Sequence, residues 1–180
     1  AEEANDLSFK RAVLVDLGNV YEMDYQISQA IGCFESALDL LEDAEQTHNL
    51  SRGYTLENLG YCKLLSGETA NGIALIHKSI EYLDDAFGLA EAYIDLCYGY
   101  LEIDDLDQAR QCGQTGLDRA QDARHVRNAH YLLGEVAYKS GDSEAAEFHF
   151  EQLARFYPEF RNLKSLLFGI DLRGLVNLKL

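Results

Sequence analysis

The chain has 180 residues, of which 47% are hydrophobic and 26% are charged, and this composition is typical of a folded protein with a sizeable core. No apolar run approaches the roughly 18 residues that a membrane span needs, so we expect a soluble chain without membrane contact. The net charge of −16 repels phosphate backbones, which argues against direct nucleic-acid contact and favours basic partners.

The opening residues and the cysteines bear on location. The start, AEEANDLS, has neither the basic nor the apolar stretch of a signal peptide, and it lacks an initiator methionine. We therefore expect a cytoplasmic chain that is either processed or a piece of a longer protein. The four cysteines form no C-x-x-C motif, so we expect buried, reduced thiols, with disulfides or a metal site as alternatives.

Four segments along the chain align with one another, which predicts a repeat. Each carries a small residue, called the anchor below, at the same place. A second small residue follows each anchor by twelve positions, and a large residue follows by sixteen in copies one, two and four. The segments are LVDLGNVY (14–21), LENLGYCK (56–63), YIDLCYGY (93–100) and HYLLGEVA (130–137), with anchors Gly18, Gly60, Cys97 and Gly134.

Each copy is predicted to be a helix hairpin. Apolar residues at helical spacing around the anchor indicate a first helix, and turn residues such as those at 66–68 and 140–142 separate it from a second helix. One hairpin cannot bury both of its faces, so neighbouring copies should stack. The copies are expected at approximately residues 11–48, 53–86, 90–123 and 127–160.

This pattern resembles the tetratricopeptide repeat, in which Leu-Gly, an aromatic residue, an alanine and a phenylalanine recur and a proline closes the unit. Copy four matches best at its end, where Ala146 and Phe150 are followed by Pro158. The resemblance implies an all-α fold, a right-handed α-solenoid of about four hairpins. It also implies a protein-interaction role without a cofactor.

The copies are longer than the 34 residues usual in that family, because successive anchors lie 42, 37 and 37 residues apart. Extended repeats of this kind are similar to those of kinesin light chains and of bacterial peptide-sensing regulators. Copy three has Gly113 and Gly116 where larger and small residues are usual, so we expect its second helix to pack more loosely.

The last segment, residues 161–180, does not continue the repeat. Leu163, Leu166, Leu167 and Ile170 lie at helical spacing, which predicts a capping helix. Since a cap should show a polar outer face and this tail stays apolar, docking of a partner or homodimerisation through the tail is the alternative.

The sequence offers little for catalysis or metal binding. None of the five histidines forms an H-x-x-x-H pair, and His130 and His149 fall at packing positions of copy four. No phosphate-binding glycine loop and no G-x-S-x-G elbow occurs. The acid pairs at 84–85 and 104–105 are expected to cap helices. We therefore expect no enzyme, no metal and no catalytic residue.

The resemblance implies that a peptide binds along the first helix of each copy. No lysine or arginine occupies the positions that would line such a groove, so a clamp for a terminal carboxylate is not expected. A Tyr-, Asn- and acid-rich groove suits an extended peptide with basic or apolar side chains. The candidate groove residues are Asn19, Glu22, Tyr54, Glu57, Asn58, Tyr61, Glu91, Asp95, Tyr98, Asn128, Tyr131, Glu135 and Tyr138.

Three functions follow as hypotheses. The first is a non-catalytic module that binds a protein or a peptide through this groove. The second is the peptide-sensing, dimerising region of a bacterial transcription regulator whose DNA-binding domain lies outside this chain. The third, of another class, is an accessory subunit of an enzyme.

Overall fold

A computed structural model describes residues 2–42 and 49–157, and side chains within these ranges from Leu7 to Leu41 and from Leu50 to Tyr157. This part of the chain contains α-helices and no strand, which confirms the all-α prediction. The helices are α1 (Glu2–Met23), α2 (Ile27–Glu42), α3 (Asn49–Leu65), α4 (Thr69–Ile80), α5 (Ala86–Glu102), α6 (Leu106–Asp118), α7 (Ala123–Lys139) and α8 (Ser143–Ala154).

The chain divides into two compact units, Ala1–Gly88 (unit 1) and Leu89–Leu180 (unit 2). In unit 1, α1 packs on α2, α3 packs on α4, and α2 packs on α3. In unit 2, α7 packs on α8 and on α6. Helices adjacent in sequence thus pair as hairpins, as the repeat pattern predicts.

The anchor of each first helix meets the residue sixteen positions later on the second helix. A Cβ added to Gly18 would lie 2.6 Å from the ring of Phe34, and one added to Gly134 would lie 2.8 Å from the ring of Phe150. Gly60 meets Ile76 in the same way. Because the anchor has no side chain, a large side chain of the second helix fills the space beside it.

Copy three makes the same contact with the glycine on the second helix instead of the first. Its anchor is Cys97 and its second helix supplies Gly113, where an added Cβ would lie 2.9 Å from Cys97 Sγ and 2.8 Å from Leu133. A Cβ on Gly116 would lie 2.7 Å from Ile94. The expectation of looser packing in this copy was wrong, because each glycine accommodates a large neighbour rather than leaving a gap.

All four hairpin turns follow one backbone pattern. The residue seven positions after each anchor has a positive φ, and the next N–H donates to the carbonyl five residues earlier, as in a Schellman C-cap. Glycine suits this conformation, yet two of the four turns use other residues. The turn residues are Tyr25 (φ 57°), Gly67 (85°), Asp104 (58°) and Gly141 (78°), and the bonds from Gln26, Glu68, Asp105 and Asp142 measure 2.8–3.0 Å.

Two predictions concern the ends and the membrane. The described residues do not include Pro158 or the tail at 161–180, which was predicted to be a capping or docking segment. Within those residues, no helix combines the length and the apolar character that a bilayer crossing requires.

Candidate functional site

The thirteen candidate groove residues all lie on first helices of hairpins: two on α1, four on α3, three on α5 and four on α7. We call them the first-helix residues. Six of them belong to unit 1 and seven to unit 2.

In unit 1, the structure brings together Asn19 and Asn58. The Asn58 side-chain amide of α3 donates to Asn19 Oδ1 of α1 at 3.3 Å, and both side chains are half-buried. Amide side chains both donate and accept, so a pair of them offers groups that match a peptide backbone. This contact links the first helices of successive copies.

Tyr54 of α3 makes a different contact in unit 1, with Asp85 at the start of α5. Its hydroxyl donates to Asp85 Oδ1 at 2.9 Å, and the same oxygen accepts the Gly88 N–H at 2.8 Å. Burial alone would raise the pKa of Asp85, but these hydrogen bonds outweigh it and lower the pKa below its usual value. Tyr54 therefore helps to hold an N-cap.

Several first-helix residues are buried within the chain. Glu57 is only 1% exposed and Asp95 only 2%, whereas Tyr138 is 53% exposed. A ligand can reach a buried side chain only if neighbouring groups move, so the more accessible residues are the better contacts. The buried residues are Glu22, Glu57, Tyr61, Asp95, Asn128 and Tyr131.

In unit 2, a cation that the sequence analysis missed joins the site. Arg124 at the start of α7 forms an ion pair with Glu91 of α5 at 2.9 Å, and both side chains are largely shielded from solvent. Arg127 donates to Asn128 Oδ1 at 3.4 Å. Both arginines come before Asn128, the first groove position of copy four, so counting from the anchor omits them. The segment ARHVRNAH nevertheless places two arginines one helical turn apart, and this spacing could have indicated a basic site. The negative charge of Glu91 is thus already balanced by Arg124.

His130 and His149 pair between α7 and α8. Their Nδ1 atoms lie 2.9 Å apart, and Phe148 packs edge-on against both rings. Burial, the neighbouring His149 and Arg155 lower the pKa of His130 to about 4, and burial together with Arg110 lowers the pKa of His149. Both rings are therefore neutral near pH 7, one Nδ1 donating to the other.

The other reactive side chains hold structural positions. Burial raises the pKa of Cys112 to about 11 and raises the pKa of Cys97 further, so both remain protonated thiols. No disulfide joins the four cysteines, and no group of three or more metal-binding side chains occurs in the described ranges.

One member of each acid pair caps a helix, as expected. Asp105 accepts the Gln108 N–H at 3.2 Å at the start of α6, and Asp85 accepts the Gly88 N–H. Asp104 instead pairs with Lys139 Nζ at 2.8 Å. These contacts give Asp85, Asp104 and Asp105 structural roles.

No protein-family model matches the chain, and neither does any curated protein. Solved structures do match. MamA is 21% identical over 84% of this chain and 75% of its own, with a TM-score of 0.61. PilF of Pseudomonas aeruginosa is 20% identical over 88% of this chain (TM-score 0.62), and BtubC from P. vanneervenii is 18% identical over 89% (TM-score 0.69).

The chain spans 65% of the PilF chain and 65% of the BtubC chain. At these identities the likeness concerns the fold alone. Together with the hairpins and the anchor contacts, it establishes that this chain has the fold of a tetratricopeptide-type helical-repeat protein.

Proposed function

We propose that the chain is a non-catalytic interaction module in which the first helices of each unit bind an extended peptide of a partner protein. The observation that carries this proposal is the half-buried Asn19–Asn58 pair in unit 1, since amide groups there can exchange their mutual bond for bonds to a peptide backbone. Cytoplasmic location fits the absence of a disulfide among the four thiols.

The ligand's side chains follow from charge and exposure. A net charge of −16 attracts basic peptides from solution and repels nucleic acid. In unit 2, the exposed ring of Tyr138 and the half-buried carboxylate of Glu135 lie one turn apart on α7, a combination that suits a lysine, an arginine or an apolar side chain. Because Glu91 is paired with Arg124, we assign it no direct role with the ligand.

Fluorescence anisotropy with a library of labelled peptides tests the proposal. We expect basic and apolar peptides to bind better than acidic ones, and raising the salt from about 50 to 500 mM to weaken the basic ones. Asn58→Ala and Tyr138→Ala should each lower affinity by about tenfold, in line with the loss of one well-placed contact.

The controls use residues of similar type on second helices. Asn71→Ala removes an exposed amide of α4 that bonds to Glu68, and Phe148→Ala removes an aromatic ring of α8 as exposed as Tyr138. Neither should change affinity. Equal affinity for acidic and basic peptides, or equal losses in the control variants, would refute the proposed site.

A further inference from the structure

We propose that the outer face of α1 binds a second copy of this chain in an antiparallel helix pair. This face carries five apolar side chains exposed to solvent, among them Phe9 (71% exposed), Val20 (59%) and Met23 (62%). We call the five the outer stripe: Phe9, Val13, Leu17, Val20 and Met23. Contiguous apolar surface of this kind marks an interaction site more often than isolated apolar residues do.

Helix geometry makes the five residues one surface. At 3.6 residues per turn they fall within an arc of about 120°, and they extend over about 21 Å of the helix axis. The opposite side of α1 is already used, because Gly18 contacts Phe34, and Val15 and Tyr21 pack on a core cluster formed by α2 and α3. A helix that is apolar on both sides is typical of one covered on both sides.

The charges beside the outer stripe favour a second copy as the occupant. Lys10 of α1 and Asp24, the residue after α1, lie near opposite ends of the outer stripe and on the same side of its centre line. When two copies pair antiparallel about a two-fold axis near Leu17, like flanks meet and residue 10 of each copy lies opposite residue 24 of the other. Two Lys10–Asp24 pairs then form, while Val13 of each copy faces Val20 of the other.

Asp16 should weaken the pairing of the two copies, so removing its charge should strengthen it. Asp16 is exposed within the arc of the outer stripe, between the directions of Phe9 and Met23 and one residue from the two-fold axis, so the two copies of Asp16 approach each other. Like charges at that distance weaken the pair. One helix face also buries less than the roughly 800 Å² per partner of a standard interface, so the dimer should dissociate readily.

Sedimentation velocity of the full chain at about 5 to 500 μM tests the proposal, because a weak dimer raises the sedimentation coefficient with concentration. We expect Val20→Gln to raise the dissociation constant at least tenfold. Ile103→Gln is the matched control, an exposed β-branched residue (53%) of unit 2, and should leave it unchanged. Because both side chains are exposed, circular dichroism should report unchanged helix content.

Charge reversal distinguishes the antiparallel pair from other dimers. Lys10→Asp or Asp24→Lys alone should weaken association about three- to tenfold, and the double variant should restore it, whereas Asp16→Asn should strengthen it. A monomer at every concentration would overturn the proposal. This holds even if the monomer results from another segment of the native protein covering α1. A dimer that survives Val20→Gln but is lost in Leu167→Gln would also overturn the proposal, since that result places the contact in the tail.

Discussion

The α3–α4 hairpin and the α7–α8 hairpin make the anchor contact in different ways. In α3–α4, backbone meets backbone: a Cβ added to Gly72 would lie 2.7 Å from the carbonyl oxygen of Gly60. In α7–α8, the same position after the anchor is Ala146, and the atoms nearest to an added Cβ on Gly134 all belong to the ring of Phe150. The close approach of the two helices is therefore limited by backbone atoms in α3–α4 and by a side chain at the anchor of α7–α8.

This difference teaches which substitutions the fold can absorb. A side chain can rotate away from a new methyl group, but a backbone carbonyl moves only if its helix moves. The α3–α4 contact should accordingly be intolerant of added volume, and the α7–α8 contact should be adjustable through a second substitution.

The largest effect is expected from Gly72→Ala. The new methyl group must push α3 and α4 apart, which should lower the free energy of unfolding by about 2–3 kcal/mol even though alanine favours helix. Urea denaturation followed by circular dichroism measures this change. A midpoint that stays the same or rises would show that the hairpin separates without cost.

A smaller loss, about 1–2 kcal/mol, is expected from Gly134→Ala, because only the Phe150 ring must yield. Shortening that ring by Phe150→Leu should make the second alanine tolerable. A double-mutant cycle should then give a coupling energy of about 1 kcal/mol between the two sites. Additive losses would contradict a direct contact, and no equivalent rescue exists for Gly72.

Sequence alone predicted the hairpins because the repeat fixes them. The anchors, the small residues twelve positions later and the buried side chains sixteen positions later encode contacts inside one hairpin, and these contacts recur in the structure. Copy three was misjudged because the pattern was compared residue by residue. Cys97 and Leu133 of α7 together fill the space that Gly113 leaves, so the size of that residue has to be judged with its neighbours.

The candidate site was less predictable because it depends on contacts between copies. Counting from the anchor places a residue on α5 or α7 but does not show that Arg124 reaches Glu91 across that gap. Nor does it show that Glu57 and Asp95 are buried while Tyr138 is exposed, since exposure depends on the neighbours of the whole helix. Such neighbours have no fixed spacing in the sequence.

Lower pH should destabilise the α7–α8 hairpin more than the α3–α4 hairpin, because the His130–His149 pair lies between α7 and α8. The pKa of His130 is about 4 in the folded chain and near 6.5 when unfolded, so the unfolded state binds the proton first as the pH falls. Its contribution to stability is thus present above pH 6.5 and is lost between pH 6.5 and 4. We expect the free energy of unfolding to fall by about 1–2 kcal/mol from pH 7 to pH 5.

The matched variant is His130→Gln, which keeps a polar side chain beside His149 but cannot take up a proton. Its urea midpoint should change less between pH 7 and pH 5 than that of the parent chain. His77→Gln on α4, where the side chain is exposed, should leave the pH dependence as it is. If the urea midpoints of all three proteins change equally with pH, the histidine pair is not the source of the pH dependence.

The smallest change in stability, and the only increase, is expected from Gly32→Ala on α2. This glycine is exposed, and no atom lies within 4 Å of an added Cβ, so it shares the residue type of Gly72 but not its surroundings. Alanine loses less backbone freedom on folding, and the free energy of unfolding should rise by about 0.5–1 kcal/mol. Urea denaturation of both variants in parallel separates the two causes. If Gly32→Ala also destabilises the chain, the cost at Gly72 cannot be assigned to the close approach of α3 and α4.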